Sequence, residues 1–88
     1  FKSFDEVVER ANNNDLGLCS YIYTNSMEKA HKASELMETG CVAVNTPTVA
    51  IAEAPFGGIK QTGYGREGGS MAIKDYLNIK YTHLGLKT

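Results

Sequence analysis

The sequence predicts an α/β fold: a partial parallel sheet made by one βαβ unit, then a long glycine-rich loop, a short helix and a last strand. Two observations carry this reading. The apolar runs Leu18–Tyr23 and Cys41–Val44 flank a segment of helical periodicity and join it through very short links. Strands connected in that way lie parallel, with a right-handed crossover. From Asn45 to Gly69 the periodicity stops, and this stretch holds both prolines, Pro47 and Pro55. Gly57, Gly58, Gly63, Gly65, Gly68 and Gly69, six of the nine glycines, fall there as well.

The first element is a helix near 3–13. Phe4, Val7, Val8 and Ala11 form an i, i+3, i+4, i+7 stripe, and Ser3 with Glu6 has capping-box spacing. The short amides Asn12 to Asn14, with Asp15 and Gly17, end it. Leu18–Tyr23 is aromatic and β-branched and reads as a strand. Asn25 or Ser26 caps a second helix whose stripe is Met27, Ala30, Ala33 and Met37, and Gly40 closes it where a left-handed residue is wanted. Cys41–Val44 is then a short, fully apolar strand. A parallel pair needs cover on both faces, and two helices scarcely provide it. After the long loop, Ile73, Tyr76 and Leu77 give a short helical stripe, and Asn78 to Leu84 reads as a final strand.

Composition narrows the function. Eighty-eight residues hold one domain at most, 42% hydrophobic and 22% charged, within the ordinary globular range. A net charge of −1 argues against nucleic acid or an anionic membrane as the partner. No apolar run is long enough to span a bilayer, and no signal peptide opens the chain. Two cysteines are too few for a disulfide framework, which favours a reducing, cytoplasmic setting. The chain opens on Phe1 rather than Met, as a piece of a longer protein would.

Several residues invite chemistry. Gly63-Tyr64-Gly65-Arg66-Glu67-Gly68 matches G-x-G-x-x-G, but a dinucleotide loop needs a strand just before it, and Phe56 to Lys60 reads as turns. A glycine-shaped structural loop is the better account. Cys19 and Cys41 sit in apolar strands without a neighbouring base, so neither reads as a nucleophile. His31 and His83 add too little for a metal site. Glu53 and Glu67 offer carboxylates, yet Arg66 pairing with one of them to hold the loop is the simpler expectation. Phe56, between Pro55 and Gly57, either plugs a core or lines an apolar pocket.

The run from Ala54 through Pro55-Phe56-Gly57-Gly58-Ile59-Lys60 to Gly68 resembles the C-terminal signature of the NAD(P)-dependent aldehyde dehydrogenases. Glu9-Arg10-Ala11-Asn12, Gly40 to Asn45, Asp75-Tyr76-Leu77 and Lys80-Tyr81 follow in the same order, so the resemblance covers nearly the whole chain. It implies that residues 1–77 are the end of a catalytic domain, with a substrate loop over 45–69, and that 78–88 form an oligomerisation strand and tail. The implied reaction oxidises a small aldehyde to its carboxylic acid with NAD or NADP. Its nucleophilic Cys, general-base Glu and nucleotide domain all lie outside these residues, so the chain alone is expected to be inactive, with no catalytic, cofactor-binding or metal residue of its own. By resemblance, Phe56 lines the substrate tunnel, Asn45 opens the loop at its mouth, and Thr48 and Ala50 lie on that loop. The strand Ile79 to Leu84 resembles the arm that pairs across a homo-oligomer. The pattern is most similar to bacterial succinate-semialdehyde dehydrogenases. Members that grip the succinyl carboxylate carry Ser five residues after the matching Asn, where this chain has Ala50, leaving Thr46 and Thr48 as the candidate hydroxyls. Two other classes remain: a stand-alone α/β interaction module without catalysis, and a small nucleotide binder using the glycine loop.

Overall fold

A computed structural model describes residues 1–87 of the chain. Helix α1 spans Phe4–Asn12. The Ser3 hydroxyl accepts from the Glu6 N–H at 3.2 Å, and the Glu6 carboxylate turns back to accept from the Lys2 N–H at 2.8 Å. The first satisfies a donor that the first helical turn leaves free, and the second fastens the residue before the cap. Strand β1 is Leu16–Gly17 and strand β2 is Cys19–Ile22. Helix α2 covers Met27–Leu36, its Ser26 cap accepting from the Lys29 N–H at 3.2 Å. Strand β3 is Cys41–Val44 and strand β4 is Ile59–Lys60, followed by a 3-10 helix over Ala72–Tyr76.

Strands β2 and β3 pair in parallel, with Cys19 opposite Cys41 and Ile22 opposite Val44, as the βαβ reading requires. Beneath them the core is small. Ala30 and Ala33 of α2 and Ala43 of β3 are the buried apolar residues, and among the described residues no large side chain is fully buried. Among the described residues the one buried polar side chain is Ser20, whose hydroxyl lies 2.8 Å from that of Thr39. Thr39 spends its own proton on the Cys41 carbonyl at 2.9 Å, so Ser20 is the donor of the pair. The two helices are tied at their ends. Asn12 donates to the Leu36 carbonyl and accepts from the Glu38 N–H, both at 2.9 Å, while the Lys32 ammonium sits 5.1 Å from the Phe4 ring centroid.

Four expectations change. The stretch 45–69 is not structureless: β4 pairs antiparallel with β1, Leu16 opposite Lys60, and Phe56 bridges Glu67. Two residues per strand are too few to give a periodic signal, which is why the sequence reads as turns there. Gly40 is not a left-handed cap, since α2 ends at Leu36 and Gly40 is absent from the positive-φ residues. Close approach explains it: a Cβ built there would lie 1.8 Å from the Gly57 carbonyl oxygen. Among the described residues the Arg66 guanidinium pairs with no carboxylate and donates to the carbonyls of Gly58 at 2.9 Å and Gly65 at 2.8 Å. Finally, residues 78–87 form no strand, because a strand needs a partner and none is available within the chain. Thr88, the last residue of that tail, lies outside the described residues.

The tail also sets the dimensions. A compact domain of this length has a radius of gyration of about 12 Å. Here it is 18.8 Å, with extents of 75 × 24 × 19 Å. Among the described residues no helix is long and apolar enough to cross a membrane.

Candidate functional site

Two anchors define the glycine-rich segment. The first is Asn45, which leaves β3 with φ of 56°, a left-handed conformation that Asn tolerates better than most residues. Its side-chain oxygen accepts from the Thr24 N–H at 2.9 Å and its amide donates to the Thr24 carbonyl at 3.0 Å. Asn45 thereby fastens the end of β3 to the end of β2 and aims the chain into the loop. From there Thr48 and Ala50 are carried on an exposed stretch, the Thr48 N–H donating to the Thr46 hydroxyl at 3.2 Å.

The second anchor is the return at Phe56. Its N–H donates to the Glu67 carbonyl at 2.6 Å and its carbonyl accepts from the Glu67 N–H at 2.8 Å. The ring is half-buried. Gly57 follows, packed against Gly40, and its carbonyl accepts the Cys41 thiol at 3.7 Å. Asn45 and Phe56 are thus fixed at opposite ends of β3, and no hydrogen bond joins any two of Asn45, Thr48, Ala50 and Phe56 among the described residues.

Lys60 locks this arrangement, and sequence reading missed it. It stands in a left-handed conformation, φ 57°, and its ammonium donates to the Asn12 carbonyl at 3.1 Å, the Asn14 carbonyl at 3.2 Å and the Glu38 carboxylate at 2.9 Å. One cation therefore closes the C-terminal end of α1, where carbonyls lack partners and the helix dipole is negative. Asp75 was also missed; its carboxylate accepts the Arg66 backbone N–H at 3.1 Å. Neither has a local signal, because the partners are remote in sequence.

Three of the six N–H groups of the G-x-G-x-x-G stretch are bonded within the chain. A phosphate-binding loop aims free N–H groups at its ligand. Here the N–H groups of Gly63, Arg66, Glu67 and Gly69 go to Lys60, Asp75, Phe56 and Ala52. The thiols do not form an activated nucleophile. Burial, together with the neighbouring Cys41, pushes the Cys19 thiol above its ordinary range, opposite to what a thiolate nucleophile needs. His31 is exposed on α2, and His83 Nδ1 is 2.9 Å from the Tyr81 hydroxyl. No three His, Cys, Asp or Glu side chains cluster to hold a metal among the described residues. A concavity of about 1440 Å³ is an open face between α1 and β2 bordered by Phe4, Val8, Tyr21 and Met37, and none of the four expected site residues lines it.

These features define an α/β segment with a glycine-rich return anchored at Asn45 and Phe56. Comparison with known proteins supplies the family. Residues 1–82 match the aldehyde dehydrogenase family, and the chain belongs to it. It is 52% identical over 85 residues to a 3-sulfolactaldehyde dehydrogenase of Pseudomonas putida, covering 97% of this chain and 18% of that protein. It is 42% identical over 86 residues to an NADP(+) succinate-semialdehyde dehydrogenase of Escherichia coli, covering 98% of this chain and again 18% of the relative. Among solved structures, the NAD+ complex of an aldehyde dehydrogenase from Bacillus cereus superposes with a TM-score of 0.91 at 39% identity, over 99% of this chain and 18% of that one. The chain thus spans about a fifth of the length of the relatives it matches.

Proposed function

We propose that this chain is the substrate-wall and subunit-contact segment of an NAD(P)-dependent aldehyde dehydrogenase acting on a small aldehyde that carries an anionic group. The observation that carries the reading is the segment from Asn45 to Gly69, anchored at both ends, with the N–H groups of Phe56, Glu67 and Gly69 bonded within the chain and Phe56 set on the return. In the whole enzyme, a thiolate contributed outside residues 1–88 attacks the carbonyl, and water later releases the acid. NAD or NADP would be held by residues outside 1–88 and would supply the hydride acceptor. This chain's own part is positional. Phe56 presents an apolar wall beside the reacting carbon, and Asn45 holds the start of the loop that carries Thr48 and Ala50 at the entrance. The anionic group is inferred from two of the relatives, because 3-sulfolactaldehyde and succinate semialdehyde both join an aldehyde to an acidic end. Residues 78–87 serve as the arm that pairs with a second subunit, where their exposed apolar side chains find cover.

The test is an assay of the complete polypeptide carrying residues 1–88, followed by nicotinamide absorbance with NAD and with NADP. 3-Sulfolactaldehyde, succinate semialdehyde and an uncharged aliphatic aldehyde of similar length are compared. The expected result is a higher kcat/KM for an anionic substrate and a raised KM in Phe56→Ala. Preference for the uncharged aldehyde would overturn the anionic assignment, and an unchanged KM in Phe56→Ala would remove Phe56 from the wall.

A further inference from the structure

We propose that Cys19 and Cys41 form an oxidation-closable dithiol that staples β2 to β3. The two residues are direct partners in the parallel ladder, so their side chains leave the same face of the sheet. Neighbouring strands lie about 4.7–4.9 Å apart. That places the two Cα atoms inside the range of about 4.4–6.8 Å that a disulfide spans. Among the described residues both thiols are free and both are half-buried. They also sense each other, since the proximity of Cys41 is one of the causes that raise the Cys19 thiol.

Closure needs a two-electron oxidant, and a peroxide supplies it. One thiolate attacks the peroxide oxygen, breaking the O–O bond to give a sulfenic acid and hydroxide. The other thiolate then attacks the sulfenic sulfur, forming the S–S bond and expelling a second hydroxide. With the two thiol protons, the products are the disulfide and two waters. The reaction has a local consequence. Cys41 loses the S–H that it now donates to the Gly57 carbonyl, next to Phe56. Redox state is thereby linked to the seat of the glycine-rich segment, a consequence that does not depend on which substrate the enzyme takes. Because burial holds the Cys19 thiol up, the reactive thiolate becomes more populated as pH rises, so closure accelerates with pH.

The experiment treats the complete polypeptide with hydrogen peroxide, blocks remaining thiols with N-ethylmaleimide and maps the digest by mass spectrometry. The expected product is a linked pair of peptides containing Cys19 and Cys41, lighter than their sum by two hydrogens. It forms faster at higher pH, far less in denaturant, and is lost in both Cys19→Ser and Cys41→Ser. Alkylation of both residues after oxidation, separate sulfinic acids, bonds to other cysteines, or equal yields in native and denatured protein would each overturn the proposal. The readout is a covalent bond, so it stands or falls separately from the substrate assignment.

Discussion

The glycine-rich return from Phe56 to Gly69 and the tail from Asn78 to Lys87 are both non-helical, yet they are ordered by opposite means. In the return, backbone groups find partners within the chain: Phe56 with Glu67, Gly63 with Lys60, Gly69 with Ala52, and Arg66 with the Asp75 carboxylate. In the tail no backbone hydrogen bond is made among the described residues, and Ile79 and Leu86 are 102% and 89% exposed. Glycine lets backbone approach backbone closely there, and the side chains of Lys60, Arg66 and Asp75 add to the hold. The tail has the reverse composition, with large apolar side chains at Ile79, Tyr81, Leu84 and Leu86 and nothing of its own to bury them against. One region is therefore held by its own chain, while the other leaves its large apolar side chains exposed.

That contrast breaks most sharply at Gly40. Its missing Cβ is the space in which the Gly57 carbonyl sits, and the clash at 1.8 Å is with backbone, which cannot swing aside. Gly40→Ala is expected to lower the unfolding free energy of the complete protein by about 3 kcal/mol, the upper part of the usual overpacking range. Urea unfolding measures it. A loss under about 0.5 kcal/mol, the size of an ordinary surface change, would mean that the return is not seated on β3.

A second substitution separates clasp from conformation. Lys60→Met removes the cation from two carbonyls and a carboxylate. Glu38 is more than half exposed and water replaces part of what is lost, so the expected cost is about 1 kcal/mol. Lys60→Gly loses the same clasp but occupies φ of 57° without steric cost, so it should destabilise less than Lys60→Met. Equal losses in the two variants would mean that the left-handed backbone stores no strain.

A smaller effect is expected from pH. The folded state raises the Cys19 thiol, through burial first and the neighbouring Cys41 second. The unfolded chain therefore gives up this proton before the folded one does. The stabilisation is fully present below the unfolded thiol's value of about 8.5 and is lost as pH rises through the folded value. Under reducing conditions stability should fall with alkaline pH, and Cys19→Ser should flatten that slope. An unchanged slope in Cys19→Ser would remove Cys19 as its source.

The parts of this fold that the sequence announces are those decided by neighbours along the chain. Ser3 and Ser26 mark helix starts because a cap acts over three residues, and Cys41–Val44 is recognisable as a strand from its own apolar run. The β1–β4 pair is silent because its register, Gly17 opposite Ile59, is set across the molecule by segments of two residues each. Gly40 shows the limit differently. A glycine after a helix looks the same whether it turns the chain or makes room for another strand, and only the packing of Gly57 decides. At the candidate site, Phe56 stands out through its Pro-Phe-Gly-Gly setting, whereas Lys60 acts on Asn12 and Asn14, residues that nothing in its vicinity points to.

The tail supplies the smallest expected change in folding and the clearest test of the comparison. If residues 78–87 are meant for a second subunit, charges placed there alter assembly and leave the subunit's own packing untouched. Ile79→Lys combined with Leu84→Lys should change the unfolding free energy of the isolated subunit by no more than about 0.5 kcal/mol, as surface substitutions do. The same pair should shift sedimentation from oligomer towards monomer, because like charges on an edge oppose strand pairing. An oligomer that persists would assign the subunit contact to another surface. A large loss of subunit stability with assembly unchanged would mean that the tail packs on its own protein. It would then belong with the glycine-rich return, as a segment specified from within.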